Sequence, residues 1–168
     1  EVVRVVSDRP GSAALEEARA LGVPVLTLAP VNAGARLAPE AERMLLDTVR
    51  GDRADLVALC GFMRLLSPEF LERVAAPVLN VHPSLLPAFR GLDAQRQAIE
   101  AGVRITGATV HFVDSGMDTG PILLQAPLDV LPGDTEQTLS DRLLPIEHRL
   151  YVEAIRYIQR GAVPAERR

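Results

Sequence analysis

The stretch Asn80-Val81-His82-Pro83-Ser84-Leu85-Leu86-Pro87 sets an amide and an imidazole two residues apart, where a hydrophobic run gives way to two prolines. Val78 and Leu79 lead in with strand character. Pro83 and Pro87 lack a backbone N–H and fix φ, so the strand must stop near His82. A strand end opening into a stiff loop is a firm mount for reactive side chains, and in open α/β sheets ligands sit beyond the carboxyl ends of the strands. An imidazole titrates near neutrality, so a neighbouring carboxylate can keep it protonated as an acid or an electrostatic stabiliser. Asp118 suits that role, because the glycines of Gly116-Met117-Asp118-Thr119-Gly120-Pro121 allow close backbone approach to a ligand. Asn80 can donate amide hydrogens to an oxyanion. Together the three residues would serve acyl transfer without a covalent enzyme intermediate.

Each residue taken singly also has an ordinary reading: a hydrogen-bonded His after a strand, an Asn ending a turn, an Asp in a loop. No metal site is expected, because His82, His111 and His148 are far apart in sequence and form no i, i+4 pair. Ser84 lacks the Gly-x-Ser-x-Gly elbow of a nucleophilic serine and reads as a loop hydroxyl. Glu147-His148 is either a surface pair or a carboxylate aimed at a cleft.

The elements that must hold these residues alternate in type. Strands are expected at Glu1–Val6, Val23–Leu28, Leu56–Cys60 and Val78–His82, with extended runs at Arg104–Val113 and Ile122–Val130. Helices are expected at Ser12–Leu21 with Gly22 as the stop, from Pro39 to about Arg50 with Gly51 beyond, and at Leu92–Ala101 before Gly102. Ser67 as cap and Pro68 as first residue begin a further helix through about Val74. A last one runs from about Thr135 to Arg160, with Ile146, Leu150, Ala154, Ile155 and Ile158 on one face and Pro145 kinking or dividing it. The pattern predicts a single α/β domain, 1–168, with a largely parallel, Rossmann-like sheet covered by helices; the last two strands would pair antiparallel around their loop.

Composition narrows the function classes. With 168 residues and 48% hydrophobic content, the chain can bury a substantial core. No apolar run approaches the ~20 residues of a membrane span and no signal-peptide pattern opens the chain, so a cytoplasmic protein is expected. A net charge of −4 without a basic stripe argues against nucleic acid or an anionic membrane as partner. All 18 basic residues are Arg, which excludes a lysine Schiff base and a P-loop lysine. Cys60, the single cysteine, is expected to be a buried structural thiol. Asparagine occurs only at Asn32 and Asn80, which makes Asn80 a less casual choice two residues before His82.

The motifs Gly61-Phe62-Met63-Arg64-Leu65-Leu66, Asn80 to Phe89 with Gly91, His111-Phe112-Val113, Asp118-Thr119-Gly120-Pro121-Ile122 and Glu147-His148-Arg149-Leu150-Tyr151 follow one another along nearly the whole chain. In this order they resemble the phosphoribosylglycinamide formyltransferase family. The resemblance implies transfer of a formyl group from 10-formyltetrahydrofolate to the amine of glycinamide ribonucleotide, a step of purine biosynthesis, with small molecules as partners, no metal, and a homodimer left open. It implies that Asn80 and His82 stabilise the tetrahedral oxyanion while Asp118 keeps His82 charged and orders a proton-relaying water. It assigns folate contacts to Met63, Arg64, Leu65, Leu66, Asn80, Asp114, Ser115, Gly116, Met117 and Asp118, and the glutamate tail to Arg36. Glu147 and Pro83 would meet the nucleotide.

Two features depart from the family pattern. Family members open with a strand and a Gly-rich loop that cradles the substrate phosphate at a helix N-terminus, whereas Glu1 falls at their second strand; a preceding segment is therefore expected. Val152 stands where the family usually has Pro after the Tyr. Within the same fold, the alternatives are a formyltetrahydrofolate hydrolase or a formyltransferase acting on another amine. Outside enzymes, the alternative is a folate- or nucleotide-binding module without activity.

Overall fold

The computed structural model describes residues 1–29 and 34–161. Pro30 and Asn32, expected in the loop after the second strand, lie outside the described residues. The elements in order are β1 (Val5–Ser7), α1 (Ala13–Ala20), β2 (Val25–Thr27), α2 (Pro39–Gly51), β3 (Val57–Leu59), α3 (Pro68–Arg73), β4 (Val78–His82), α4 (Ala94–Glu100), β5 (Ile105–Phe112), β6 (Ile122–Asp129) and α5 (Glu136–Gln159). They fall into two compact units, the first comprising residues 1–57 and 62–77, the second residues 58–61 and those from Val78 onward.

In the first unit, β1 and β2 pair in parallel, Val5 opposite Val25 and Ser7 opposite Thr27. Leu15 and Ala18 of α1 are buried, as are Ala41, Leu45 and Leu46 of α2. Arg4 forks onto Asp52 at 2.5 and 2.8 Å, a geometry that matches guanidinium to carboxylate. The start of α3 is fixed as the Ser-Pro pair predicts: the Ser67 hydroxyl accepts from Phe70 N at 3.0 Å, and Glu42 of α2 accepts from Ser67 N and Oγ at 2.7 and 2.6 Å. Helix α2 runs through Gly51 instead of stopping before it. Its exit is made by Arg53 at φ 50°, so the left-handed residue is not the glycine.

In the second unit, β4, β5 and β6 form an antiparallel run in a sheet of order β3-β4-β5-β6. The antiparallel pairing expected for the last two strands thus begins one strand earlier, at β4–β5. Leu79, Ala108 and Val110 are fully buried, together with Leu139, Leu143 and Ala154 of α5. A capping box of Thr135 and Thr138 starts α5, which continues as one helix through Pro145, kept undivided by this buried face. The Tyr151 hydroxyl lies 3.0 Å from the Leu59 carbonyl and 2.9 Å from that of Leu79, joining α5 to β3 and β4. Cys60 is exposed, contrary to expectation: β3 ends at Leu59 and Gly61 at φ +59° turns the chain, so the thiol falls in a bend outside the strand.

Candidate active site

Strand β4 ends at His82, where the prolines require it to end, and carries Asn80 and His82 on its last three residues. Pairing with β5 sets His111 directly opposite Asn80 and Thr109 opposite His82. On the other side of β5, the register with β6 shifts between Val110 and His111, an irregularity of the kind that re-aims side chains beside active sites.

The loop after His82 is tied down residue by residue. Thr109 Oγ1 donates to the Ser84 carbonyl at 2.7 Å and accepts from Leu86 N at 3.0 Å. Gln125 Nε2 donates to the Leu86 carbonyl and to Thr109 Oγ1, both at 2.9 Å. Ser84 itself is fully buried and donates to the Ala88 carbonyl at 2.5 Å, which accords with a structural hydroxyl. The peptide bond between Leu86 and Pro87 is cis. The chain so held delivers the Phe89 carbonyl to His82, whose Nε2 donates to it at 2.8 Å.

Asp118 reaches the same place from the β5–β6 loop, at φ 52°, a left-handed conformation that a short acidic side chain tolerates better than most. Asp114 organises this loop by accepting from Gly116 N at 3.0 Å and from the Thr119 hydroxyl at 2.7 Å. At Gly120 the strand backbone comes so close that a Cβ would lie 1.8 Å from the Phe112 carbonyl oxygen. Asp118 then faces two imidazoles, with Oδ2 3.4 Å from His82 Nδ1 and Oδ1 3.6 Å from His111 Nε2, while Gly91 N donates to Oδ2 at 2.8 Å. Both rings are buried, at 4% and 2% exposure. Burial works against charge on Asp118. The His111 ring, the Gly91 N–H and the charge of the facing imidazoles outweigh it and hold the carboxyl below the ordinary carboxylate range.

The structure therefore brings together Asn80, His82 and Asp118, as their types suggested, and adds His111, whose Nε2 lies 3.4 Å from the Asn80 amide nitrogen. Sequence gave no role to His111, because its partner Asn80 is 31 positions away and meets it only through strand register. Ser115, Gly116 and Met117 are exposed on the Asp118 loop, and Pro83 is half-buried. Glu147 lies half-buried on α5; burial pushes its carboxyl above the usual value, against the opposing charge of His148. The remaining predicted residues belong to the first unit. There Met63 is exposed, and the Arg64 guanidinium is committed to Asp8 at 2.8 Å and to the Gly34 carbonyl. Leu66 is packed in the core, and Leu65 bridges Arg36 in parallel, with Leu65 N on the Ala35 carbonyl. Among the described residues no group of three His, Cys, Asp or Glu is placed to hold a metal, and no helix is long and apolar enough to cross a membrane.

A small α/β unit in which a strand end and a neighbouring loop bring together an amide, imidazoles and a carboxylate is suited to acyl transfer onto a nucleophile that the substrate itself supplies. The model of the formyl transferase family matches residues 1–155, and the chain belongs to that family. Within it, the chain is 46% identical over 159 residues to the phosphoribosylglycinamide formyltransferase of Mycobacterium tuberculosis, covering 92% of this chain and 70% of that protein. It is 40% identical to the trifunctional purine biosynthetic protein adenosine-3 of Drosophila melanogaster, where it covers 96% of its own length and spans 12% of that protein. The crystal structure of glycinamide ribonucleotide transformylase 1 from Symbiobacterium toebii superposes with a TM-score of 0.89 at 45% identity, covering 99% of this chain and 78% of that one.

Proposed function

We propose that this protein transfers the formyl group of 10-formyltetrahydrofolate to the amine of glycinamide ribonucleotide, as a cytoplasmic enzyme of purine biosynthesis built on a single formyltransferase domain. The observation that carries the reading is the meeting of Asn80, His82 and Asp118 at one strand end, in a chain whose relatives bear this activity in their names.

The reaction needs three things from the protein. The amine attacks the formyl carbon and the carbonyl oxygen takes up negative charge, which must be met by donors already in place. A proton must leave the attacking nitrogen, and a proton must reach N10 of the folate as the C–N10 bond breaks. Asn80 supplies the donor. Both ring nitrogens of His82 already have protein partners, Phe89 and Asp118, so His82 acts as a fixed positive charge facing the developing oxyanion while the proton moves elsewhere. Asp118 holds that charge and, through an ordered water, relays the proton. Backbone groups of residues 114–118 would grip the folate, and Glu147 would meet the nucleotide's amine.

Purified full-length protein incubated with 10-formyltetrahydrofolate, with and without glycinamide ribonucleotide, tests the assignment. Formylated nucleotide and tetrahydrofolate should appear together. Tetrahydrofolate release that ignores the nucleotide would instead identify a hydrolase, and no turnover with retained folate binding would identify a binding module.

A further inference from the structure

His111 is a buried ionisable group that the proposed chemistry leaves unused, and its contacts are unusually constrained. Its Nδ1 lies 2.9 Å from the Phe112 carbonyl, which can only accept, so Nδ1 carries a hydrogen. That leaves Nε2 as the one ring atom able to address both the Asn80 amide at 3.4 Å and Asp118 Oδ1 at 3.6 Å. An unprotonated Nε2 would accept from Asn80 but point a lone pair at the carboxylate. A protonated Nε2 donates toward Asp118 and requires the oxygen of the Asn80 amide, not its nitrogen, to face the ring. The two ends of an amide have nearly the same shape, so hydrogen bonding decides between them.

We infer that His111 is a positioning residue: its ring, protonated at Nε2 opposite ionised Asp118, turns the oxygen of the Asn80 amide toward itself and thereby aims the amide's NH2 at the site of oxyanion formation. This rests on the proposed function for its purpose, but not for its geometry. Asp118 is the one carboxylate, among the described residues, that ion-pairs with either ring; the other charge facing it is that of His82. Two imidazolium rings around one carboxylate leave the cluster with a single net positive charge. That charge complements the single negative charge that develops on the formyl oxygen, and it is in place before the reaction begins. The arrangement also explains why Asn80 and His111 are direct cross-strand partners: the register of β4 against β5 sets the amide's orientation.

The test has two arms on the full-length protein. In the first, nitrogen-15 spectra of the histidines, with His148→Gln to aid assignment, should show both nitrogens of His111 protonated. Asp118→Asn should remove the proton from Nε2 and shift the Asn80 side-chain amide signal. An unprotonated Nε2 in the wild-type protein, or one unmoved by Asp118→Asn, would overturn the inference. In the second arm, His111→Phe should lower kcat about a hundredfold, the cost of a misplaced reacting group, with the KM for folate within about threefold. His111→Gln, whose amide hydrogen can still be donated toward Asn80 and Asp118, should recover most of the loss. Wild-type kcat in His111→Phe, or no recovery in a folded His111→Gln, would also overturn it. Failure of the wild-type protein to transfer formyl would count against the functional reading instead, and it is measured separately from the ring-nitrogen spectrum.

Discussion

Asp118 in the β5–β6 loop and Glu147 in the middle of α5 are two carboxylates of the second unit, and they are treated in opposite ways. Asp118 is partly buried and is supplied with the Gly91 N–H and two imidazoles, which hold it charged. Glu147 is also partly buried, but burial dominates and favours its neutral form. Burial alone therefore does not set the role of a carboxylate here; the donors facing it do. Asp118 is built to stay an anion and hold positive charge in place. On the proposed reading, Glu147 gains its partner when the amine-bearing nucleotide arrives.

The strongest way to break this contrast is to remove the anion. Asp118→Ala should lower kcat on the order of a thousandfold, and His82→Ala by a similar factor, with folate binding changed little, because their interactions are made mainly in the transition state. The double variant should be hardly worse than either single one, since the two residues act as a unit. Steady-state kinetics alongside equilibrium folate binding decides it, and multiplicative losses would mean that Asp118 and His82 work independently. Asn80→Ala comes next, at about a hundredfold in kcat, the lower end of what an oxyanion donor contributes. Glu147→Gln should sit apart from all of these. It should raise the KM for the nucleotide about tenfold, the worth of one charge-assisted hydrogen bond, while kcat stays within a few-fold. A kcat effect as large as that of Asp118→Ala would erase the difference between the two carboxylates.

The parts of this site that could be read from sequence are those fixed by local chemistry. Pro83 and Pro87 end β4 wherever they fall, Ser67-Pro68 starts α3 through its own cap, and Gly102 at φ +67° closes α4. Asn80 and His82 could be singled out because they ride on such a boundary. His111 could not, since its meaning depends on pairing opposite Asn80, and nothing within a few residues of it specifies that register. The Thr109 and Gln125 clamp on the Ser84–Leu86 backbone was hidden for the same reason. Where sequence misled, a tertiary preference outweighed a local one. Gly51 looked like a stop, yet α2 continues through it while Arg4 grips Asp52 just beyond, and the turn is displaced to Arg53. Cys60 sits in an apolar run but one residue past the end of β3, where periodicity gives no warning that the chain will bend.

The smallest predicted effects are on stability, and they carry opposite signs for the two carboxylates. Asp118 has its folded-state pKa lowered, so its contribution is fully present above the unfolded-state value of about 3.9 and is lost as pH falls through the lower folded value. Glu147 has its folded-state pKa raised, so its charge costs stability once pH climbs from about 4.3 through the folded value, and costs nothing below that range. Urea midpoints measured from pH 3 to pH 7 should therefore place Asp118→Asn below the wild-type protein at neutrality, with the gap closing under acid. Glu147→Gln should lie slightly above the wild-type protein at neutrality and merge with it near pH 4. If both variants moved the midpoint in the same direction at pH 7, the two regions would not differ in the way their surroundings dictate. A bound nucleotide should reverse the sign for Glu147 alone, because a ligand that pairs with the carboxylate stabilises the folded protein only where that charge is present.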